Sequence, residues 1–194
     1  MADDPVIVLL AAGRATRMRG AEKLLEPVND MPLIRLMAGR AAKAGITRVV
    51  LAADQPDRRA ALDGLETDVI EVAAGGGMAA SIVAGVNGLR GPVLLALADM
   101  PGVTASDLHL MIGLSRQAPK AILRAASKDG QPGHPVLFPA DLVPHLTRLT
   151  GDQGARDVLR AHARRVHLIP LADDRALVDL DTPEDWAAWR ARHR

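Results

Sequence analysis

Four cations, Arg14, Arg17, Arg19 and Lys23, fall in and just beyond a loop that carries Gly13 and Gly20 and follows the apolar run of residues 6–12. Positive charge in a glycine-bearing turn suits phosphate. Backbone N–H groups of such a loop can point at an anion, while guanidinium and ammonium groups offset its charge and fix its orientation. Gly13 would also let the backbone turn close to a ligand. Two familiar phosphate loops do not fit. A Walker A loop needs Gly-Lys-Ser/Thr where this chain has Gly20-Ala21-Glu22, and a dinucleotide G-x-G-x-x-G meets Ala15 and Met18 at its later glycines. The bland alternative is a basic surface loop after a core strand.

Carboxylates supply the second candidate chemistry. Asp99 stands where the apolar run of residues 92–98 ends, and Pro101 stiffens the turn that follows. In an open α/β sheet, ligands bind outside the carboxyl ends of the strands. That would put Asp99 on the same edge as the Gly13 loop, where it could hold Mg²⁺ against a substrate phosphate. Capping of the next turn is the structural alternative. Asp179 and Asp181 are two apart on an extended segment and so share one face, with Val178 and Leu180 on the other. Paired acids repel unless a cation or donor lies between them, which makes a metal site a candidate again. Helix initiation accounts for their neighbours: Thr182 suits the N-cap, Pro183 the first helical position, and Asp185 completes a capping box. Trp186 and Trp189, three apart on that helix, read as core packing.

Gly75-Gly76-Gly77-Met78 is too glycine-rich for a helix interior and leads into one. It could present N–H groups and Ser81 to a base or ribose, or be a flexible turn. His134 before Pro135 at a strand start is by itself a structural feature, and the other histidines show no metal-ligand spacing.

To position these groups, β-type and helix-type segments alternate, the pattern of a mostly parallel sheet covered by helices. Strands are expected at residues 6–12, 48–53, 69–72, 92–98, 121–126, 134–138 and 166–171, and helices at 32–43, 81–88, 104–116, 140–149 and 155–163. Thr104 with Asp107 makes a capping box. The turn dipeptide Asp129-Gly130 joins two of the strands, so an antiparallel pairing should interrupt the sheet. No repeat, low-complexity tract or long linker divides residues 1–194, and one domain is expected.

The 194 residues are 48% hydrophobic and 24% charged, near globular averages, which argues against disorder and allows a sizeable core. A net charge of +1 gives no general attraction to nucleic acid or membrane, so neither is an expected partner. The absence of Cys removes disulfides, thiolate metal sites and a Cys nucleophile, in agreement with a reducing cytosol. With no basic leader segment and no apolar run of membrane-spanning length, a soluble cytoplasmic protein is the expectation.

The run Leu10-Ala11-Ala12-Gly13, then Arg17-Met18, Gly20 and Lys23-Leu24-Leu25, resembles the signature of nucleotidyltransferases with a glycosyltransferase-A-like Rossmann fold, within them the molybdenum cofactor cytidylyltransferase branch. The likeness continues in order to Trp186. The L-A-D-x-P around Asp99 resembles the family's metal-binding aspartate motif. Residues 179–185 resemble a D-x-D-T-P-E-D stretch whose late aspartate completes the Mg²⁺ site, and position relative to Thr182-Pro183 favours Asp181 over Asp179. Leu10-Ala11-Ala12-Gly13 and Gly77-Met78 with Ser81 follow the cytidylyl rather than the guanylyl pattern, and the Ala12 side chain would leave less room for a purine. Gly133-His134-Pro135 and the stretch from Gly151-Asp152 to Arg156 resemble the remaining motifs. The chain departs from the family at Arg19, which lengthens R-M-G to R-M-R-G, and at Met100, where D-Q-P is common.

The resemblance implies an α/β, Rossmann-like three-layer α/β/α fold. It further implies transfer of CMP from CTP to the phosphate of molybdopterin or molybdenum cofactor, with Mg²⁺ as cofactor and pyrophosphate as product. Leu10, Ala11, Ala12, Gly13, Arg17, Lys23, Gly77, Met78 and Ser81 would hold the nucleotide, with Arg17 and the loop amides on the β- and γ-phosphates and Lys23 near the α-phosphate. Asp99 with Asp181, or Asp179 in its place, would hold the metal, and Arg17, Lys23 and Asp99 would be catalytic. His134, Pro135, Asp152 and Arg156 would contact the acceptor. The resemblance also implies a client molybdoenzyme or its chaperone as a further partner. The alternatives are a guanylyltransferase of the same cofactor, a sugar-phosphate or other small-phosphate nucleotidyltransferase, and a non-catalytic molybdopterin carrier, which would not need the acids.

Overall fold

A computed structural model describes residues 4–14, 16–19, 21–151 and 154–192. In chain order the elements are β1 (Val6–Leu10), β2 (Pro27–Val28), β3 (Met31–Pro32), α1 (Leu33–Ala44), β4 (Thr47–Ala52), α2 (Pro56–Ala60), β5 (Asp68–Val72), α3 (Gly77–Val86), β6 (Val93–Leu97), α4 (Ala105–Gln117), β7 (Ile122–Ala126), β8 (Pro132–Phe138), α5 (Val143–Leu146), α6 (Arg156–Ala161), β9 (Val166–Pro170) and α7 (Pro183–Arg192). One sheet takes the order β5-β4-β1-β6-β8-β7-β9, while β2 and β3 pair by themselves. Within the large sheet β8 runs antiparallel to both β6 and β7, and the other pairs are parallel.

Alternation along β1 sets the layers. Ile7 and Leu9 join a core with α1, α4 and the two tryptophans of α7, whereas Val8 and Leu10 join a second core with Ile82 and Val86 of α3 and Leu146 of α5. Helices therefore cover both faces, as the fold class requires. Gly85 lets α3 approach closely, since a Cβ there would overlap Val8 and Val50 of the sheet.

The strand order reverses at β1, with β4 on one side and β6 on the other. The loops after β1 and β6 therefore part and leave a crevice at the carboxyl edge, where such sheets bind ligands. Because β8 is reversed, its first residues lie on this edge too. Leu95 pairs with Val136, so His134 comes level with Leu97 at the end of β6.

The segment before α7 returns to the same edge. The Ala176 carbonyl accepts a hydrogen bond from the His134 amide at 2.9 Å, and the Leu180 amide donates to the Asp99 carbonyl at 3.0 Å. Gly133 makes this crossing possible, because a Cβ there would overlap the Ala176 backbone. Thr182 and Asp185 form the expected capping box, with the Asp185 amide 3.1 Å from Thr182 Oγ1 and the Thr182 amide 2.8 Å from Asp185 Oδ2.

Three expectations need correction. The helix at 140–149 is instead a 3-10 turn at Ala140–Leu142 followed by the short α5, since Pro144 has no N–H to extend a helix begun at Ala140. Helix α3 begins at Gly77 rather than Ser81, so the glycine-rich stretch supplies its first turn. Strand β1 ends at Leu10, and apolar Ala11 and Ala12 belong to the loop. The β2–β3 hairpin and α2 had no expectation. Among the described residues, no helix is long and apolar enough to cross a membrane.

Candidate active site

Lys23 is the centre of the site. Its side chain is 9% exposed, and its Nζ lies 2.6 Å from Asp99 Oδ2 and 2.5 Å from Asp181 Oδ1. Burial by itself would lower the Lys23 pKa, but the Asp99 charge and the hydrogen bonds to Asp181 and Asp99 outweigh it and hold the pKa above its ordinary value. The ammonium is thus a fixed positive charge. Arg17, largely exposed, donates from Nη1 to Asp181 Oδ2 at 2.9 Å.

Asp99, Asp179 and Asp181 each offer a carboxylate oxygen within 4.8 Å of the others. Three acids this close repel, and Lys23 with Arg17 cancels only part of that charge. Burial, then the charges of Asp181 and Asp99, raise the pKa of Asp179. Asp99 Oδ1 is buried and has no hydrogen-bond partner. An unpaired buried carboxylate oxygen beside two further carboxylates is a donor set suited to a hard divalent cation.

A cavity of about 860 Å³ opens from this cluster along the crevice. Its lining contains Leu10, Ala11, Ala12, Gly13, Arg17, Lys23, Gly77, Met78, Ser81 and Asp99, so the residues expected to hold a nucleotide share one space. Ser81 is nearly buried, and its hydroxyl donates to the Gly77 carbonyl at 3.1 Å, which leaves its lone pairs to accept from a ligand. Gly13 does not adopt positive φ, and a Cβ there would meet no atom within 4 Å, so the room it leaves is the cavity itself. Arg14 pairs instead with Asp54, and Arg19 with Glu184.

Underneath the loop lies Arg58, a residue the sequence did not single out. Its side chain is 1% exposed, and it donates to the Ala11 carbonyl at 2.5 Å, the Gly13 carbonyl at 2.9 Å and Glu22 Oε1 at 2.6 Å. One guanidinium therefore ties the start of the loop to its end. Carbonyls drawn down to Arg58 are kept out of the cavity, which favours N–H groups facing an anion there. The local sequence around Arg58, Gln55-Pro56-Asp57-Arg58-Arg59, is polar, so nothing in it signals burial.

A second cavity, of about 430 Å³, adjoins the first and holds His134, Arg156 and Asp179 together with Arg124 of β7. Burial, then the Arg124 charge, lowers the His134 pKa to about 4, so the imidazole is neutral near pH 7. Arg124 was also missed, although a lone Arg in the apolar stretch of β7 was a visible signal. Pro135 follows His134 through a cis peptide bond. Asp152 lies outside the described residues.

Residues 7–166 match the MobA-like NTP transferase domain family. The chain is similar to Rv0371c of Mycobacterium tuberculosis H37Rv, at 27% identity and a TM-score of 0.82, with 96% of this chain and 98% of that one covered. That protein has also been crystallised in complex with manganese. It is likewise similar to nicotine blue oxidoreductase of Paenarthrobacter nicotinovorans, 29% identical over 188 residues that cover 91% of this chain and 92% of the relative. Molybdopterin-guanine dinucleotide biosynthesis protein A of Archaeoglobus fulgidus shares the fold, with a TM-score of 0.69 at 19% identity over 97% of this chain and 98% of that one.

Proposed function

The chain belongs to the MobA-like NTP transferase domain family, and we propose that within it the protein transfers CMP from CTP to a phosphate of molybdopterin or molybdenum cofactor. Among the observations that support this reading, the one that carries it is the three-carboxylate cluster around Lys23 at the mouth of the nucleotide-sized cavity. A carrier would have no use for three mutually repelling acids. An acceptor phosphate oxygen forms the new bond to the α-phosphorus of CTP, and the bond to the bridging oxygen of the β-phosphate breaks, so pyrophosphate leaves with that electron pair. The nucleophile is already anionic, so no general base is needed.

The chain's own residues act by position and charge. Arg17 and the loop N–H groups face the β- and γ-phosphates, and Lys23 supplies a fixed charge beside the α-phosphate while holding Asp99 and Asp181 in place. Asp99 and Asp181, with Asp179 beside them, would hold Mg²⁺, which when bound supplies positive charge against the triphosphate oxygens. Apolar Leu10 and Leu97 help to keep water from the reacting phosphate, and neutral His134 leaves the acceptor phosphate unprotonated. Ala12 narrows the base pocket against a purine.

The test is pyrophosphate release with CTP, GTP, ATP and UTP, with and without molybdopterin. Dependence on molybdopterin and a preference for CTP over GTP of about 10-fold or more, roughly 1.4 kcal/mol, is expected. A GTP preference moves the assignment to guanylyl transfer. The full-length likeness to nicotine blue oxidoreductase favours a second reading, an oxidoreductase on the same scaffold. Redox turnover of nicotine blue without release of pyrophosphate from any triphosphate would select it.

A further inference from the structure

Where α1, α7 and the start of α4 meet, a further cavity of about 920 Å³ is lined by Arg40, Pro101, Gly102, Thr104 and Arg175 among others, and it shares no lining residue with the nucleotide cleft. Arg40 reaches from α1 to the turn that follows Asp99. Its Nη1 donates to the Pro101 carbonyl at 2.6 Å and to the Val103 carbonyl at 2.7 Å, so one nitrogen fixes both sides of that turn. At its apex Gly102 meets Arg175: a Cβ on Gly102 would lie 3.3 Å from Arg175 Cα and 3.4 Å from its Cβ and Cγ. Arg175 stands in the segment that carries Asp179 and Asp181, and its Nη1 lies 3.5 Å from Asp107 Oδ2. Asp107 is nearly buried and also completes the α4 capping box, accepting from the Thr104 amide at 2.8 Å and from its hydroxyl at 2.7 Å. Burial lowers the Arg40 pKa, and the Asp107 charge works against that. One carboxylate thus faces a guanidinium from α1 and another from the acid-bearing segment.

Asp99, Asp179 and Asp181 repel one another, and the repulsion acts to drive the turn after β6 and the segment before α7 apart. On the backbone, the bond from the Leu180 amide to the Asp99 carbonyl joins the two at one point, which leaves them free to pivot. A divalent cation needs its ligand oxygens placed to within about 0.5 Å. We infer that Arg40, Asp107 and Arg175 are positioning residues: from outside the nucleotide cavity they hold the two acid-bearing segments at the spacing a divalent cation needs. The cation's part in catalysis rests on the nucleotidyl-transfer reading, but its affinity tests the inference separately. Arg35 offers an internal comparison. It too lies on α1 and donates from Nη1 to two carbonyls, those of Ala61 at 2.8 Å and Asp63 at 2.9 Å, in a loop that carries none of the three acids.

Binding of Mn²⁺ to the protein alone, read from the loss of the free-ion electron paramagnetic resonance signal, with Tm measured on the same samples, tests the assignment. Arg40→Met should weaken Mn²⁺ by about 10-fold or more, and Arg40→Lys, which keeps a charged donor, should recover most of the affinity. Arg175→Met should weaken it by about threefold or more, and Asp107→Asn should add little in that background, because the pair acts as a unit. Arg35→Met should lower Tm comparably yet leave Mn²⁺ affinity within about twofold. In pyrophosphate release, raising the metal concentration should restore the turnover of Arg40→Met. Should that variant fold poorly, Arg175→Met carries the test, since its side chain is 34% exposed. Unchanged Mn²⁺ affinity in both variants, an equal loss in Arg35→Met, or no Mn²⁺ binding to the wild-type protein overturns the inference. Mn²⁺ binding that depends on Arg40 and Arg175, without pyrophosphate release from any triphosphate, upholds it and overturns the reaction.

Discussion

Replacing Arg58 with Met, which has a similar length but neither charge nor donors, tests whether the nucleotide loop is held from below. The change removes the hydrogen bonds to the Ala11 and Gly13 carbonyls and to Glu22. Breaking a buried ion pair from one side costs about 3 to 5 kcal/mol. Here the cost is smaller. The Glu22 side chain is 34% exposed and can recover water, and the burden of keeping Arg58 charged with an unpaired Nε disappears. A net loss of about 2 to 3 kcal/mol is expected, which for a chain of this size lowers Tm by roughly 4 to 12 °C. The loop carbonyls are then free to turn toward the phosphates, so the KM for the triphosphate should rise by about 10-fold, with a smaller change in kcat. Thermal unfolding and steady-state kinetics of pyrophosphate release measure both. Glu22→Gln should cost less in the Arg58→Met background than alone, because the pair is coupled. An unchanged Tm with an unchanged KM would refute the clamp.

Asp99→Asn should lower turnover by about 10²-fold or more with the fold intact, since the amide keeps the shape but gives no charge to a cation. Asp181→Asn should resemble it, and a larger loss in Asp179→Asn than in Asp181→Asn, seen in the same pyrophosphate assay, would show that Asp179 is the principal ligand. Gly13→Ala should leave Tm unchanged or slightly raised, because a Cβ there meets nothing within 4 Å, yet weaken triphosphate binding by about 10-fold as the methyl enters the cavity. Normal affinity in a calorimetric titration would contradict that placement. The His134 pKa is lowered to about 4 from 6.5, so the unfolded chain takes up the proton first and stability falls as pH drops through that window. The contribution is fully present above pH 6.5, and about 2 kcal/mol of it should be lost between pH 7 and pH 5. His134→Gln should flatten this part of the denaturant-midpoint profile, and parallel profiles would rule it out.

The strands were legible because β1 and β6 are apolar on both faces and the Asp129-Gly130 turn marks the β7–β8 reversal. Their ends were less so: Ala11 and Ala12 look like strand by hydropathy but leave the ladder for the loop. Short elements such as α2 and the β2–β3 hairpin are too brief to show a period. In the site, Asp179 and Asp181 were readable because a two-residue spacing sets a common face, and the structure brings them to Asp99. Arg58 was not, since its burial depends on how the crossover from β4 to β5 passes beneath a loop more than forty residues away. Lys23 shows the same limit: charge type was evident, but its seat between Asp99 and Asp181 is a tertiary fact.

The strip that carries Asp179 and Asp181 is joined to the sheet edge by few backbone bonds, chiefly from His134 to Ala176 and from Leu180 to Asp99. Its release would strip the site of two acids while leaving the seven strands paired. Segments of this kind open at lower free energy than the sheet they dock on. Amide exchange at Leu180 should accordingly outpace that at Leu94 in β6, and on warming, catalysis should fail before the sheet melts. The onset of inactivation then reports the grip of this strip, while the melting temperature reports the two cores.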